Sequence, residues 1–318
     1  MSFLARLLFL AMLFCLIVPC DGEAKALRVG YLQGDIHHLP LWVALEKGMF
    51  PKEGIQVEVG GIFRAGPEEM SAFSAGALDV GYVGLAPTIT AFANKTVDVS
   101  VVAQVNMEGS QIVVKQGSGI KDMMELKGKT IAIPGYSTVQ DFLLRKALQV
   151  KDFNPNDYKI VVLKPPEMIA ALAGSQIEAF IAWEPFPSKS ITSGIATTLM
   201  KSREIWPGHP CCVLVVQSDL IKNSPELVYS YVKAHKKAIE FVNSNIEEAR
   251  KIASKYTGMD ESTIKFAMDN VKYEAKLNIR AVRDYVEYLT KFKYITVENS
   301  EQFLKSLITE KFLEESSK

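Results

Sequence analysis

Four cysteines in 318 residues are too few for a disulfide scaffold, so the fold must rest on a buried apolar core. An excess of charge of either sign is also missing, with 36 Lys+Arg against 36 Asp+Glu. That balance argues against a polyanion-binding surface, and no nucleic-acid partner is expected. Charged residues make up 23% and hydrophobic residues 48%, a composition that excludes a disordered solvating chain. Enzyme signatures are lacking too. There is no GxSxG turn, no HExxH and no GxxxxGKS/T phosphate loop, and Gly117-Ser118-Gly119 lacks the third glycine and strand context of a dinucleotide site. His37, His38, His209 and His235 show no zinc-ligand spacing and no CxxC pair accompanies them, so neither a metal site nor a cofactor is expected.

What is present begins with an export leader. Met1 to Arg6 carries one positive charge, Leu7 to Val18 is apolar throughout, and Gly22-Glu23-Ala24 puts small residues where a signal peptidase reads. Residues 1–24 are therefore expected to be a signal peptide cleaved after Ala24. The apolar run is about a dozen residues, short of the roughly 20 that a membrane span needs. Cys20, following Ile17-Val18-Pro19, offers a lipid anchor as a second option. Removal deletes Arg6, Asp21 and Glu23, so the mature chain stays nearly neutral and is expected in the periplasm or at the outer face of the cytoplasmic membrane. It also leaves only Cys211 and Cys212. Adjacent Cα atoms lie about 3.8 Å apart, below the usual disulfide range of about 4.4–6.8 Å, so two free buried thiols are expected.

The mature chain alternates strand and helix patterns: Leu27 to Tyr31, then Leu39 to Lys47 closed by Gly48, then Ile55 to Val59. Further strand candidates include Asp79 to Val83, Val99 to Val105, Gln111 to Val114, Thr130 to Ile133, Ala179 to Ala182 and Val213 to Val216. This rhythm predicts parallel α/β sheets, with ligands beyond the carboxyl ends of the strands. After about Ser218 helices dominate. Ser224-Pro225-Glu226 opens one whose stripe of Val228, Tyr231, Val232, His235, Ile239 and Val242 makes His235 a packed histidine rather than a catalytic one. An internal echo links Ala75-Gly76 through Asp79 to Gly84-Leu85-Ala86-Pro87 with Ala173-Gly174 through Glu178 to Trp183-Glu184-Pro185. It predicts two lobes built alike, each presenting a strand end to a shared cleft.

Several turns could bind a ligand. Ser137 and Gln140 fit a Ser-x-x-Gln capping box, which either simply caps a helix or offers Tyr136, Ser137 and Thr138 to an anionic oxygen. Gly84 to Pro87 offers a second cradle at a helix start. Arg64 is either a solvated charge or a fork for an anionic head group. Trp183 and Glu184 are either ligand contacts or an interlobe contact.

These stretches, with Leu39 to Phe50, Leu126 to Ala132, Pro134 to Gln140 and Trp206-Pro207-Gly208-His209-Pro210, resemble the substrate-binding proteins of ABC importers in the nitrate, sulfonate and taurine group. The ordered set is specific for the group and says little about the ligand. The resemblance implies a two-lobed periplasmic-binding-protein type II-like α/β fold with two crossing segments and a helical C-terminal part. It maps residues 26–108 plus 218–318 to the first lobe and 109–217 to the second, with crossings near Met107 to Gln111 and Val215 to Asp219. It carries over Gln33, Gly34, Arg64, Gly84, Leu85, Ala86, Pro87, Tyr136, Ser137, Thr138, Gln140, Trp183 and Glu184 as ligand positions. A carboxylate at Glu184 would favour a zwitterion over a small inorganic anion. The function implied is non-catalytic capture of a small solute by a monomer, through hinge closure, and delivery to an ABC permease and its ATPase subunits. The alternatives are a thiamine-pyrimidine precursor binder, or an enzyme on the same fold of the pyrimidine synthase or futalosine-pathway type.

Overall fold

Runs of β-branched and apolar residues fold as twelve strands among the described residues of the computed structural model, which are 26–150 and 157–315. The leader, its cleavage position and Cys20 lie outside them. The strands are β1 Leu27–Leu32, β2 Val57–Phe63, β3 Val80–Gly84, β4 Val99–Gln104, β5 Asn106–Glu108, β6 Ser110–Lys115, β7 Thr130–Ile133, β8 Lys159–Val162, β9 Ala179–Trp183, β10 Ala196–Lys201, β11 Cys212–Gln217 and β12 Val271–Tyr273. They form one sheet in the order β2-β1-β3-β11-β4, a second in the order β10-β6-β9-β7-β8, and a small β12-β5 pair. Among the described residues no helix is long and apolar enough to cross a membrane.

Neither large sheet is purely parallel, contrary to the expectation from rhythm alone. β1 runs parallel to β2 and β3, and β7 parallel to β8 and β9, but β11 and β6 lie antiparallel to both their neighbours. These two strands are entered straight from a crossing segment. No helical crossover of the βαβ kind reverses the chain before them, so nothing imposes parallel pairing. β11 also corrects the lobe boundary, since Cys212–Gln217 completes the first sheet rather than the second. The second crossing therefore runs before Cys212, not through Val215 to Asp219. A buried run such as Val213 to Val216 reads alike in either sheet, and its own pattern cannot name its partners.

The internal echo is real in topology. Taken from its β2 or β8 edge, each sheet places its second, first and third helix-linked strands, then the inserted strand, then one more. β3 and β9, the strands of the echo, occupy the same central position and are wholly buried.

The crossings lie side by side as a hydrogen-bonded hinge. Glu108 N donates to His209 O at 3.0 Å, Cys211 N to Asn106 O at 3.1 Å and Val105 N to Cys212 O at 2.9 Å. β12 zips onto β5 from the other side. Gly109 follows at φ +86°, where a Cβ would sit 2.1 Å from His37 Nε2, so this turn requires glycine.

The C-terminal helices brace both lobes. Phe142 of the helix Val139–Val150 packs against Tyr285 at a 34° tilt, with ring centroids 4.4 Å apart. Lys189 Nζ pairs with Asp260 at 3.0 Å and Thr192 Oγ1 with Thr263 Oγ1 at 2.8 Å. The helix Pro225–Ser244 buries the expected stripe, His235 included. His235 Nε2 donates to Gln104 O at 2.9 Å and Nδ1 accepts from Tyr82 at 3.0 Å, the arrangement of a neutral ring, and burial pushes its pKa down to about 4. The unfolded chain takes up this proton near pH 6.5 and the native chain only near 4. Stability from this group is therefore complete above pH 6.5 and falls by about 3 kcal/mol as pH drops to 4. Urea midpoints from pH 7 to 4 should show a shallower acid loss in His235→Asn than in the parent; equal slopes would mean that the ring is already charged.

Candidate functional site

The carboxyl ends of β1, β3 and β9 point at the junction between the lobes, as strand ends of such sheets do. They meet the first turns of the helices Leu85–Ala93 and Val139–Val150 there. A cavity of about 10 Å³ lies at this meeting point, lined by Leu32, Asp35, Gly66, Gly84, Pro87, Thr138, Val139, Gln140, Trp183, Cys211 and Cys212. That volume holds about one water. A solute the size of a sulfonate does not fit in it.

Five of the expected ligand positions line this cavity: Gly84, Pro87, Thr138, Gln140 and Trp183. Gly84 packs closely against the second lobe, and a Cβ there would come within 3.0 Å of Val139 Cγ2. The helix opening beyond it starts at Leu85, with Pro87 in its first turn. Thr138, not Ser137, caps the other helix: its Oγ1 accepts from Asp141 N at 3.2 Å, and Asp141 Oδ2 accepts from Ser137 N at 3.0 Å. The cap is thus shifted by one residue, because Ser137 takes a positive φ of 61° and cannot be the extended cap. Gln140 is released from that duty and donates through Nε2 to Ser110 Oγ at 3.0 Å. Trp183 is 2% exposed, and its indole Nε1 is buried without a hydrogen-bond partner among the described residues.

The other positions fall elsewhere. Gln33 is exposed and Gly34 turns at φ +63° beside Phe186, both on the rim; their neighbours Leu32 and Asp35 reach the cavity instead. Arg64 is 60% exposed and paired to Glu68 one helical turn on, so it is a solvated ion pair. Leu85 and Ala86 are buried in the first lobe, where Leu85 N donates to Cys211 O at 2.8 Å. Tyr136 and Ser137 face a separate outer groove of about 430 Å³ between the lobes, shared with Pro67, Met70 and Thr90. Glu184 is fully buried and turned into the hinge. Its carboxylate accepts from Gln111 Nε2, Asn270 Nδ2 and Ser188 N, and its backbone N–H donates to Gly109 O. Burial raises its pKa in spite of these bonds. The inference from Glu184 to a zwitterionic solute therefore lapses.

Sequence reasoning missed the floor of the cavity. Asp35, His37, Cys211 and Cys212 are all buried, and the His37 Nδ1 atom lies 3.6 Å and 3.7 Å from the two thiols. The absence of ligand spacing along the chain did not exclude such a cluster, since more than 170 residues separate its halves. Burial disfavours a charged His37, but the charges of Asp35 and Cys211 outweigh it and lift its pKa well above 6.5. The hydrogen bond from Cys212, against the burial penalty, holds Cys211 down at about 6, while burial pushes Cys212 well above the ordinary thiol value. His38 is pushed down to about 4 by burial.

A sequence profile described as the NMT1-like family matches residues 21–256. A putative binding protein of Brucella abortus is 28% identical over 273 residues, covering 84% of this chain and 83% of the relative. A putative aliphatic sulfonates-binding protein of Bacillus subtilis is 30% identical over 258 residues, covering 79% and 75%. The crystal structure of the periplasmic nitrate-binding protein NrtA from Synechocystis PCC 6803 superposes with a TM-score of 0.81 at 17% identity, over 93% of this chain and 89% of that one. That likeness shows a shared fold.

Proposed function

The chain belongs to the NMT1-like family, and from that membership we propose that it is the extracytoplasmic solute-binding component of an ABC importer. It captures a small anionic or zwitterionic solute of the sulfonate, taurine, nitrate or bicarbonate class and alters nothing covalent in it. The observation that carries this reading is the interlobe cavity, where the unpartnered Trp183 Nε1 meets the starts of two helices. Helix geometry leaves the first-turn N–H groups of Val139 and Gln140 without intrahelical acceptors, and the dipole favours a negative group at that end. Asp35 on the opposite wall adds an acceptor, which suits a solute carrying an ammonium group as well as an oxyanion.

Capture works by closure. Contacts from Gly84 and Asp35 on one lobe and from Gln140 and Trp183 on the other coexist only when the lobes are together, so the solute shifts the population toward the closed form. The paired crossings supply the bend. The closed form is what the permease and its ATPase subunits recognise, and the leader at residues 1–24 delivers the protein, as a monomer, to the outer face. The names of the relatives favour this reading over a pyrimidine binder or an enzyme on the same fold.

Thermal and chemical unfolding in the presence of nitrate, bicarbonate, taurine, short alkanesulfonates and a pyrimidine tests it. A solute of the proposed class at about a hundred times its Kd stabilises the fold by roughly 2.7 kcal/mol. Stabilisation by the pyrimidine alone would transfer the protein to the rival class, and none by any of them would reject the solute class.

A further inference from the structure

We propose that His37, Cys211 and Cys212, with Asp35 beside them, form a binding site for a thiophilic d10 cation, Zn2+ foremost, at the first-lobe wall of the interlobe cavity. His37 Nδ1 lies 3.6 Å from Cys211 Sγ, 3.7 Å from Cys212 Sγ and 3.1 Å from Asp35 Oδ1. A tetrahedral ion with bonds of about 2.05 Å to nitrogen and 2.3 Å to sulfur sets its N···S edge at roughly 3.6 Å. The donors therefore already stand at the spacing of such an ion's ligands. The His37, Cys211 and Cys212 ligand atoms lie within 4.8 Å of one another, and Asp35 lies equally near Cys212.

The ring orientation fits the same role. His37 Nε2 lies 2.9 Å from the Gly109 carbonyl, which can only accept, so Nε2 carries hydrogen and Nδ1 is the atom turned to the thiols. Metal-binding histidines are held by such a bond on their other nitrogen. His38 is excluded as a ligand by the opposite argument. Its Nδ1 accepts from Leu32 N at 3.1 Å, so its Nε2 carries hydrogen, and that nitrogen lies 3.8 Å from Asp35 Oδ2.

Two neighbouring residues in extended chain ordinarily face opposite ways. Here Asn106 takes Cys211 N on its carbonyl and Cys212 N on its side-chain oxygen, both at 3.1 Å, and both sulfurs reach one imidazole. Both thiols are free. Two thiols and an imidazole select zinc or copper(I) over magnesium or calcium. Asp35, Cys211 and Cys212 border the cavity, so the ion's route in is the cleft. This site stands on the chain's own donors and does not depend on the importer reading.

Tag-free, reduced, leader-free protein titrated with Co2+ alone should develop a thiolate-to-cobalt charge-transfer band that saturates at one equivalent and is displaced by Zn2+. Cys211→Ser and Cys212→Ser should each weaken Zn2+ binding by at least about 100-fold, compared only where circular dichroism shows the variant folded. Zinc K-edge absorption on the unmutated protein keeps the test decisive if the variants fail to fold, because it should report two sulfurs at about 2.3 Å. Absence of the band, its survival in both variants, or a zinc shell without sulfur would each overturn the site.

Discussion

Trp183→Ala is expected to lower stability by about 3–5 kcal/mol, read from denaturant midpoints, because it empties a fully enclosed position. The side chain is 2% exposed and packs edge-on to Phe186 in the second lobe's own apolar cluster, with Phe180 and Leu172. The alanine variant alone therefore confounds packing with binding. Trp183→Phe separates them. It keeps most of the apolar volume and, with a few ring carbons, removes Nε1, which has no protein partner among the described residues to lose. Its melting should stay near the parent's, while solute affinity falls about tenfold or more, the worth of one hydrogen bond to a charged oxygen. Parental affinity in the phenylalanine variant would remove the indole N–H from the binding contacts.

Gly109→Ala should cost at least about 3 kcal/mol or prevent folding, since it combines left-handed backbone strain with a collision. The new Cβ would meet His37 Nε2 at 2.1 Å and Val271 Cγ2 at 2.9 Å, and the backbone there is held at φ +86°. Gly117→Ala is the control. Gly117 also has positive φ, +75°, but nothing lies within 4 Å of its added Cβ, so it should lose only the strain, about 1–2 kcal/mol. Equal losses in the two variants would show that the hinge turn has room to spare.

Much of the architecture was legible because strand and helix periodicity are local properties. The strand-helix-strand order from Leu27, the stop at Gly48 and the stripe on the helix Pro225–Ser244 appear as read, although the second strand runs Val57–Phe63 rather than Ile55 to Val59. The echo between β3 and β9 located the two strand ends that face the cavity. Sheet membership was not legible. β11 pairs with β3 and β4, and such pairings are set by tertiary packing rather than by the strand's own residues. Site residues divided the same way. Gly84, Thr138 and Trp183 lie at element ends, where turn chemistry marks them. Glu184 beside Trp183 carries the same mark, yet its side chain turns into Gln111 and Asn270, a direction that one residue of offset reverses. The cluster under the cavity was hidden for a different reason. Asp35 and His37 follow β1 while Cys211 and Cys212 lie at the start of β11, which joins the same sheet through β3, and no spacing rule covers such a distance along the chain.

The insertion of β11 between β3 and β4 bears on how the molecule comes into being. During synthesis the first four strands emerge long before residues 212–217, and until then β3 and β4 each present a bare edge with no neighbour to zip against. The second sheet, whose strands all fall between residues 110 and 201, can finish earlier. The half of the molecule made first is thus the last to close, and its open edges persist until the return strand arrives.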